Sequence, residues 1–148
     1  VSRHAQRGAA LVEFAVVAPF MFMVFFAAIE FGWMFYAYQS TDYGARLGAR
    51  WAAVRGKDCV AATCPVTAAQ VQTYVANTVP GLGSSMVTVN WNEPPASYFQ
   101  QPSGACGQGD QEQGCIVDVK VVDPLHFTIP FVWDGTINLT SESQVAIQ

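Results

Sequence analysis

Hydrophobic residues run almost unbroken from Ala9 to Tyr38, with Glu13 and Glu30 the only charged side chains among them. Phe14 to Ile29 carries no charge. The block Phe20-Met21-Phe22-Met23-Val24-Phe25-Phe26 is apolar on every side of a helix, the pattern of a segment buried in lipid or in a bundle of like helices. A helix needs about 20 apolar residues to cross a bilayer, and residues 9–38 supply them. Trp33, Tyr36 and Tyr38 then fall near the outer interface, where amphipathic aromatics are favoured. Pro19 lacks a backbone N–H and is expected to kink the helix or break its hydrogen-bond ladder locally. A cleaved secretory signal would have a shorter apolar run ending at small residues, unlike Glu30-Phe31-Gly32-Trp33-Met34-Phe35-Tyr36.

Beyond Gln39 the pattern turns amphipathic. Ala45, Leu47, Ala49, Trp51, Ala52, Ala53 and Val54 recur at helical spacing among good helix formers, and Gly56 is a suitable stop. Asp42 and Arg46 are placed to pair one turn apart. Gly44 and Gly48 mark either a close helix–helix approach or simply tolerated glycines. If continuous from Ala9 to Arg55, this helix is about 70 Å long, far more than one bilayer.

The rest alternates differently. Thr67 can cap a short helix from Ala68 to Val79, ended by Pro80-Gly81. Met86 to Asn92 reads as a strand with Val87, Val89 and Trp91 on one face. Glu93 to Gly114, rich in Pro, Gly and polar residues, reads as a long loop. Cys115 to Val122 is a second strand. A connection through Pro124, Pro130 and Asp134-Gly135 leads to a last strand, Thr136 to Ile147. The expected fold class is α+β: a long hydrophobic N-terminal helix, for a membrane or a filament core, followed by a small, mainly antiparallel sheet with a short helix and disulfides. The expected division is a basic, leader-like segment 1–8, the helix 9–56 (membrane part 9–38, amphipathic half 39–56) and a stapled head 57–148.

Charge adds a direction. Arg3 and Arg7 precede the apolar run and no comparable cluster follows it closely, which places the N-terminus in the cytoplasm. From Gly56 onward only Lys57 and Lys120 are basic, against eight acids, so nucleic acid is excluded as a partner. Cys59, Cys64, Cys106 and Cys115 all lie in this exported part, an even count that fits disulfides formed outside the cytoplasm. Three connectivities are possible. Cys59–Cys64 and Cys106–Cys115 are preferred because each closes a short local loop. Zinc ligation would want two-residue Cys spacings and His partners. No metal or other cofactor is expected.

Four segments together resemble the TadE-like pseudopilins of the tight-adherence branch of the type IV pilus superfamily. They are Gly8-Ala9-Ala10-Leu11-Val12-Glu13-Phe14, Pro19, Ile29-Glu30-Phe31-Gly32 and Gly44-Ala45-Arg46-Leu47-Gly48-Ala49-Arg50. The close likeness covers residues 7–55. It implies cleavage by a prepilin peptidase between Gly8 and Ala9, which makes Glu13 the fifth residue of the mature chain. It also implies an assembly ATPase and platform as partners. The filament core would hold Phe14, Phe20, Met21, Phe22, Met23, Phe25 and Phe26.

Glu13 can be argued on chemistry alone. A carboxylate among Val12, Phe14 and Val16 either stays protonated or finds a cation, because an unpaired buried charge is too costly. A freed Ala9 amine on a neighbouring copy would serve and would set axial register; otherwise Arg7, a lipid headgroup or water is the partner. Glu30, near the outer face, is expected to be hydrated. Asn138-Leu139-Thr140 matches a glycosylation acceptor, a pattern common by chance. No catalytic constellation stands out: His4 and His126 stand apart, Gly81-Leu82-Gly83 is a turn fragment, and Asp118 and Asp123 need not share a face. Trp91, Tyr98 and Phe99 read as core or loop packing before an adhesive surface.

The expected function is a structural subunit, not an enzyme. It would leave the bacterial inner membrane and polymerise with copies of itself or other pilins into an extracellular filament for surface attachment. The alternative is a permanently anchored periplasmic or cell-wall binding protein, or a pilus-assembly protein, that never polymerises.

Overall fold

The computed structural model describes residues 3–60, 64–92, 106–107, 109–129 and 133–148. Most of the expected loop from Glu93, with Tyr98 and Phe99, lies outside the described residues. Two compact units share the chain: Val1–Tyr36 with Leu125–Ile137, and Ala37–Pro124 with Asn138–Gln148.

Helix α1, Arg3–Ala53, runs through Pro19 without interruption. In the second unit its buried face is made of small residues: Ala37, Gly44, Ala45, Gly48, Ala49, Ala52 and Ala53. Helix α2, Ala68–Thr78, lies against that face. Thr67 starts α2 with a reciprocal cap: its hydroxyl accepts from the Gln70 N–H at 3.4 Å, and its own N–H donates to Gln70 Oε1 at 2.9 Å. A Cβ on Gly48 would lie 2.9 Å from Val75 Cγ2 and 3.2 Å from Val119 Cγ1, so helix and sheet both close onto this point. Of the two readings of Gly44 and Gly48, the structure selects close approach, and the approaching helix belongs to the same chain.

The sheet has strand order β1-β2-β3, with β1 Val87–Asn92, β2 Ile116–Ile129 and β3 Trp133–Ala146. β1 pairs antiparallel with β2, Val87 opposite Val121 and Asn92 opposite Ile116. Val87 and Val89 of β1 and Val117, Val119 and Val121 of β2 are buried in one cluster with α1 and α2. The architecture is therefore α+β, as the periodicities indicate.

Three strand boundaries differ markedly from the sequence reading. β2 continues through Asp123 and Pro124 to Ile129, and β3 begins at Trp133, so the expected connection is largely strand. Proline is disfavoured in a paired strand because it cannot donate to the ladder. Pro124, however, lies beyond the last β1 partner, the Val87–Val121 pair, where one side of β2 needs no donor from it. Met86 belongs to a 3₁₀ turn, Ser84–Met86, rather than to β1.

Disulfides join Cys59 to Cys64 and Cys106 to Cys115. Around them the end of α1 is tied in by backbone bonds. Gln148 N–H donates to Ala53 O, satisfying one of the last helix carbonyls, Lys57 N–H donates to Gln111 O, and Val66 N–H donates to Arg55 O. Ile147 and Cys115 extend the β2–β3 pairing through the Ile147 N–H to Cys115 O bond, 2.8 Å.

Candidate functional site

The sequence singles out the N-terminal part of α1, and its exposure is the chain's most unusual physical property. Phe14 is 64% exposed and Phe20 69%, and Met21, Phe22, Phe25 and Phe26 are at least half exposed. Even Met23, the most covered of the expected core residues, is 37% exposed. Fully burying one such side chain is worth about 1.5–3 kcal/mol, so leaving a whole run in water is not tenable. An 18-residue window of this helix has mean hydropathy 2.3 with none of it buried, enough in length and composition to cross a membrane. The aromatic contacts here are within the helix, Phe22–Phe26 at 6.5 Å and Trp33–Tyr36 at 5.8 Å, one turn apart.

Glu13 is exposed on this surface and makes no ion pair among the described residues. Helical geometry decides which neighbours it can share. Ala9 is four residues away and on the same face, whereas Arg7 is six away and on a different one. Pro19 is also on α1. The backbone of Gly8 and Ala9 is helical, and their side-chain environment lies outside the described residues.

Glu30 differs from Glu13. Ala27, Glu30 and Met34, spaced three and four apart, are half-buried, while Ile29, Phe31 and Trp33 beside them are exposed. Hydrophobicity alone does not reveal this stripe, because every position in the segment is apolar except the acid.

The head carries a modest polar chemistry. Arg46 and Asp42 pair at 3.0 Å, as their spacing indicates, and the Ser141 hydroxyl donates to Asp42 Oδ1 at 3.3 Å. Lys57 Nζ bonds Glu112 Oε1 at 2.9 Å, which raises the lysine pKa. Asp118 is 8% exposed, and its Oδ1 is buried without a hydrogen-bond partner among the described residues. Burial first, and then the negative charge of Glu142, push its carboxyl above the usual range, while Lys120 pulls the other way. Asp123 is half-buried and is raised by burial. His126 is exposed on β2. A stack missed in the sequence has Arg55 4.4 Å over the Trp51 ring, which lies 4.6 Å from Tyr74. Arg55 and Trp51 are four apart on α1, a detectable spacing, but Tyr74 arrives only through the α1–α2 packing. Among the described residues no group of three or more His, Cys, Asp or Glu could hold a metal ion.

Residues 8–50 match the family model described as TadE-like protein. The N-terminal helix is TadE-like. The matched stretch contains Glu13, Pro19, the exposed apolar run and the Gly44/Gly48 contact, and it stops before the first cysteine. No curated protein and no solved structure matches the chain. The TadE-like match and the exposed apolar helix together support a general pilin-type role, with the helix suited to anchoring in a membrane before assembly.

Proposed function

We propose that this TadE-like chain is a structural subunit that is held in the inner membrane by α1 and then polymerises through the same helix into an extracellular Tad-type filament for surface attachment. The observation that carries the reading is the exposure of the large apolar side chains from Leu11 to Phe26, with Glu13 set among them. One surface can be covered in turn by lipid and by the helices of neighbouring subunits, since both are apolar. Glu13 gives the second state its register. On its face one turn earlier is Ala9, and cleavage after Gly8 would place a cationic amine there, available to Glu13 of a neighbouring subunit. Such a pair specifies alignment more than it adds stability, because desolvation offsets much of the Coulomb gain. Pro19 would supply a local kink or loosening of the packed helix. A prepilin peptidase, an assembly ATPase with its platform, and other pilins are the partners this reading requires.

Glu13→Ala tests it. Membrane insertion should be unchanged, because the substitution makes the span more apolar, while incorporation into sheared surface filaments should be lost. Incorporation at the wild-type level would sink the register role of Glu13.

A further inference from the structure

The outer half of α1 has two sides. Ala45, Ala49 and Ala52 are buried in the cluster shared with α2 and the sheet. The opposite side carries Tyr43, Arg46, Arg50 and Val54, spaced three and four apart and all exposed. Seven-residue steps back from Arg50 through Tyr43 reach Tyr36, Ile29 and Phe22, each roughly half exposed, so this stripe continues the apolar run. The three arginines of this half differ in what holds them. Arg46 pairs with Asp42, and Arg55 donates to Trp51 O at 3.2 Å and lies over the indole. Arg50 has no ion pair or hydrogen bond among the described residues. Opposite charge gathers just past the helix end. Lys57 bonds Glu112, and Asp110 and Asp58 act on the same ammonium, which sets three exposed carboxylates around one cation. Lys57 N–H donates to Gln111 O, which holds this cluster beside the end of α1. Residues 39–55 carry three Arg and one Asp, whereas residues 56–148 carry two Lys and eight acids.

We propose that the exposed Tyr43, Arg46, Arg50 and Val54 face of α1 docks the Asp58, Asp110 and Glu112 cluster of a second copy of this chain. The claim rests on the proposed polymerisation. Charge complementarity names the occupant, because one chain carries both the unpaired cation and the excess carboxylates, on different surfaces. A contact between unlike surfaces of identical copies repeats head to tail, and where the rotation does not close it builds an open helical filament. The axial offsets agree. An Ala9 amine that reaches Glu13 of the next copy needs that copy displaced by four residues, about 6 Å along the helix. For helices parallel to the filament axis, the same shift brings that copy's Ala53 level with Ala49 of the first. Its acids beside the helix end then come next to Arg50. Tyr43 and Val54 supply apolar surface on either side of the cation, which shields the pair from water.

The test is charge reversal in the full chain, read in filaments sheared from cells. Arg50→Glu should lower recovery in the filaments several-fold while leaving the amount in membranes unchanged. Adding Asp58→Arg or Asp110→Arg to it should restore recovery, which a merely structural role for Arg50 would not allow. Arg50→Glu recovered at the wild-type level overturns the proposal and leaves polymerisation intact. A loss that neither second change restores also overturns it. Wild-type chain absent from the filaments removes polymerisation and the proposal together. If Arg50→Glu does not accumulate in membranes, Arg50→Lys decides. Carbodiimide treatment of its filaments should join position 50 to Asp58, Asp110 or Glu112 of another copy, found by mass spectrometry of the dimer band, and absence of that link overturns the contact.

Discussion

Gly48 of α1 meets Val75 of α2 so closely that an added Cβ would lie 2.9 Å from Val75 Cγ2. Val75 is β-branched and buried, so it cannot turn aside cheaply, and Val119 waits at 3.2 Å on another side. Gly48→Ala gains about 1 kcal/mol of helix propensity and should lose about 1–3 kcal/mol to overpacking, a net destabilisation. Gly32→Ala on the same helix meets nothing within 4 Å among the described residues and should not destabilise. Thermal unfolding by circular dichroism in detergent checks the pair. Equal midpoints for the two variants would refute close packing at Gly48.

Asp118 should make the head less stable as pH rises. Its carboxyl titrates above the unfolded value, so the folded state binds more protons across that interval and stability falls with increasing pH. Below the ordinary carboxyl range both states are protonated and the penalty vanishes. Asp118 is opposite Asn90 in the β1–β2 register, and its Oδ1 has no hydrogen-bond partner among the described residues. Asp118→Asn should therefore stabilise the head by about 1 kcal/mol at neutral pH and by little in acid. Urea midpoints at the two pH values measure this, and a gain independent of pH would refute it.

The Cys106–Cys115 bridge should carry more stability than its neighbour. Its cysteines are nine apart and both buried, whereas Cys59 and Cys64 are five apart and half-buried. Cys115 also begins the β2–β3 pairing through Ile147. Replacing Cys106 and Cys115 by Ser should cost about 2–4 kcal/mol in denaturant unfolding, and replacing the other pair should cost less. The reverse order would mean that the loop at Cys59 anchors the head.

Periodicity exposes what repeats, and here it was enough for the long helix, the α2 cap at Thr67 and the inward valines of β1. It was not enough at Pro124. The strand survives there because β1 has already ended, a fact of sheet topology rather than of local propensity. Gly44 and Gly48 were visible as a spacing, but whether they faced a helix of the same chain depended on where α2 folds back. The half-burial of Ala27, Glu30 and Met34 was hidden for the opposite reason: in a uniformly apolar segment no pattern distinguishes a covered face from a free one. For the proposed assembly role, the sequence supplied Glu13 and its relation to Ala9, while the described residues of the head added nothing that a reading of spacing could name as a ligand site.

The central claim is that α1 leaves the bilayer to become the core of a filament. The most direct measurement is to shear intact cells, collect detergent-free surface filaments and identify this chain and its N-terminal residue by mass spectrometry. Full head and helix recovered together in the filaments, beginning at Ala9, is the predicted result. The chain found wholly in detergent-soluble membranes, with none in the sheared fraction, would contradict polymerisation.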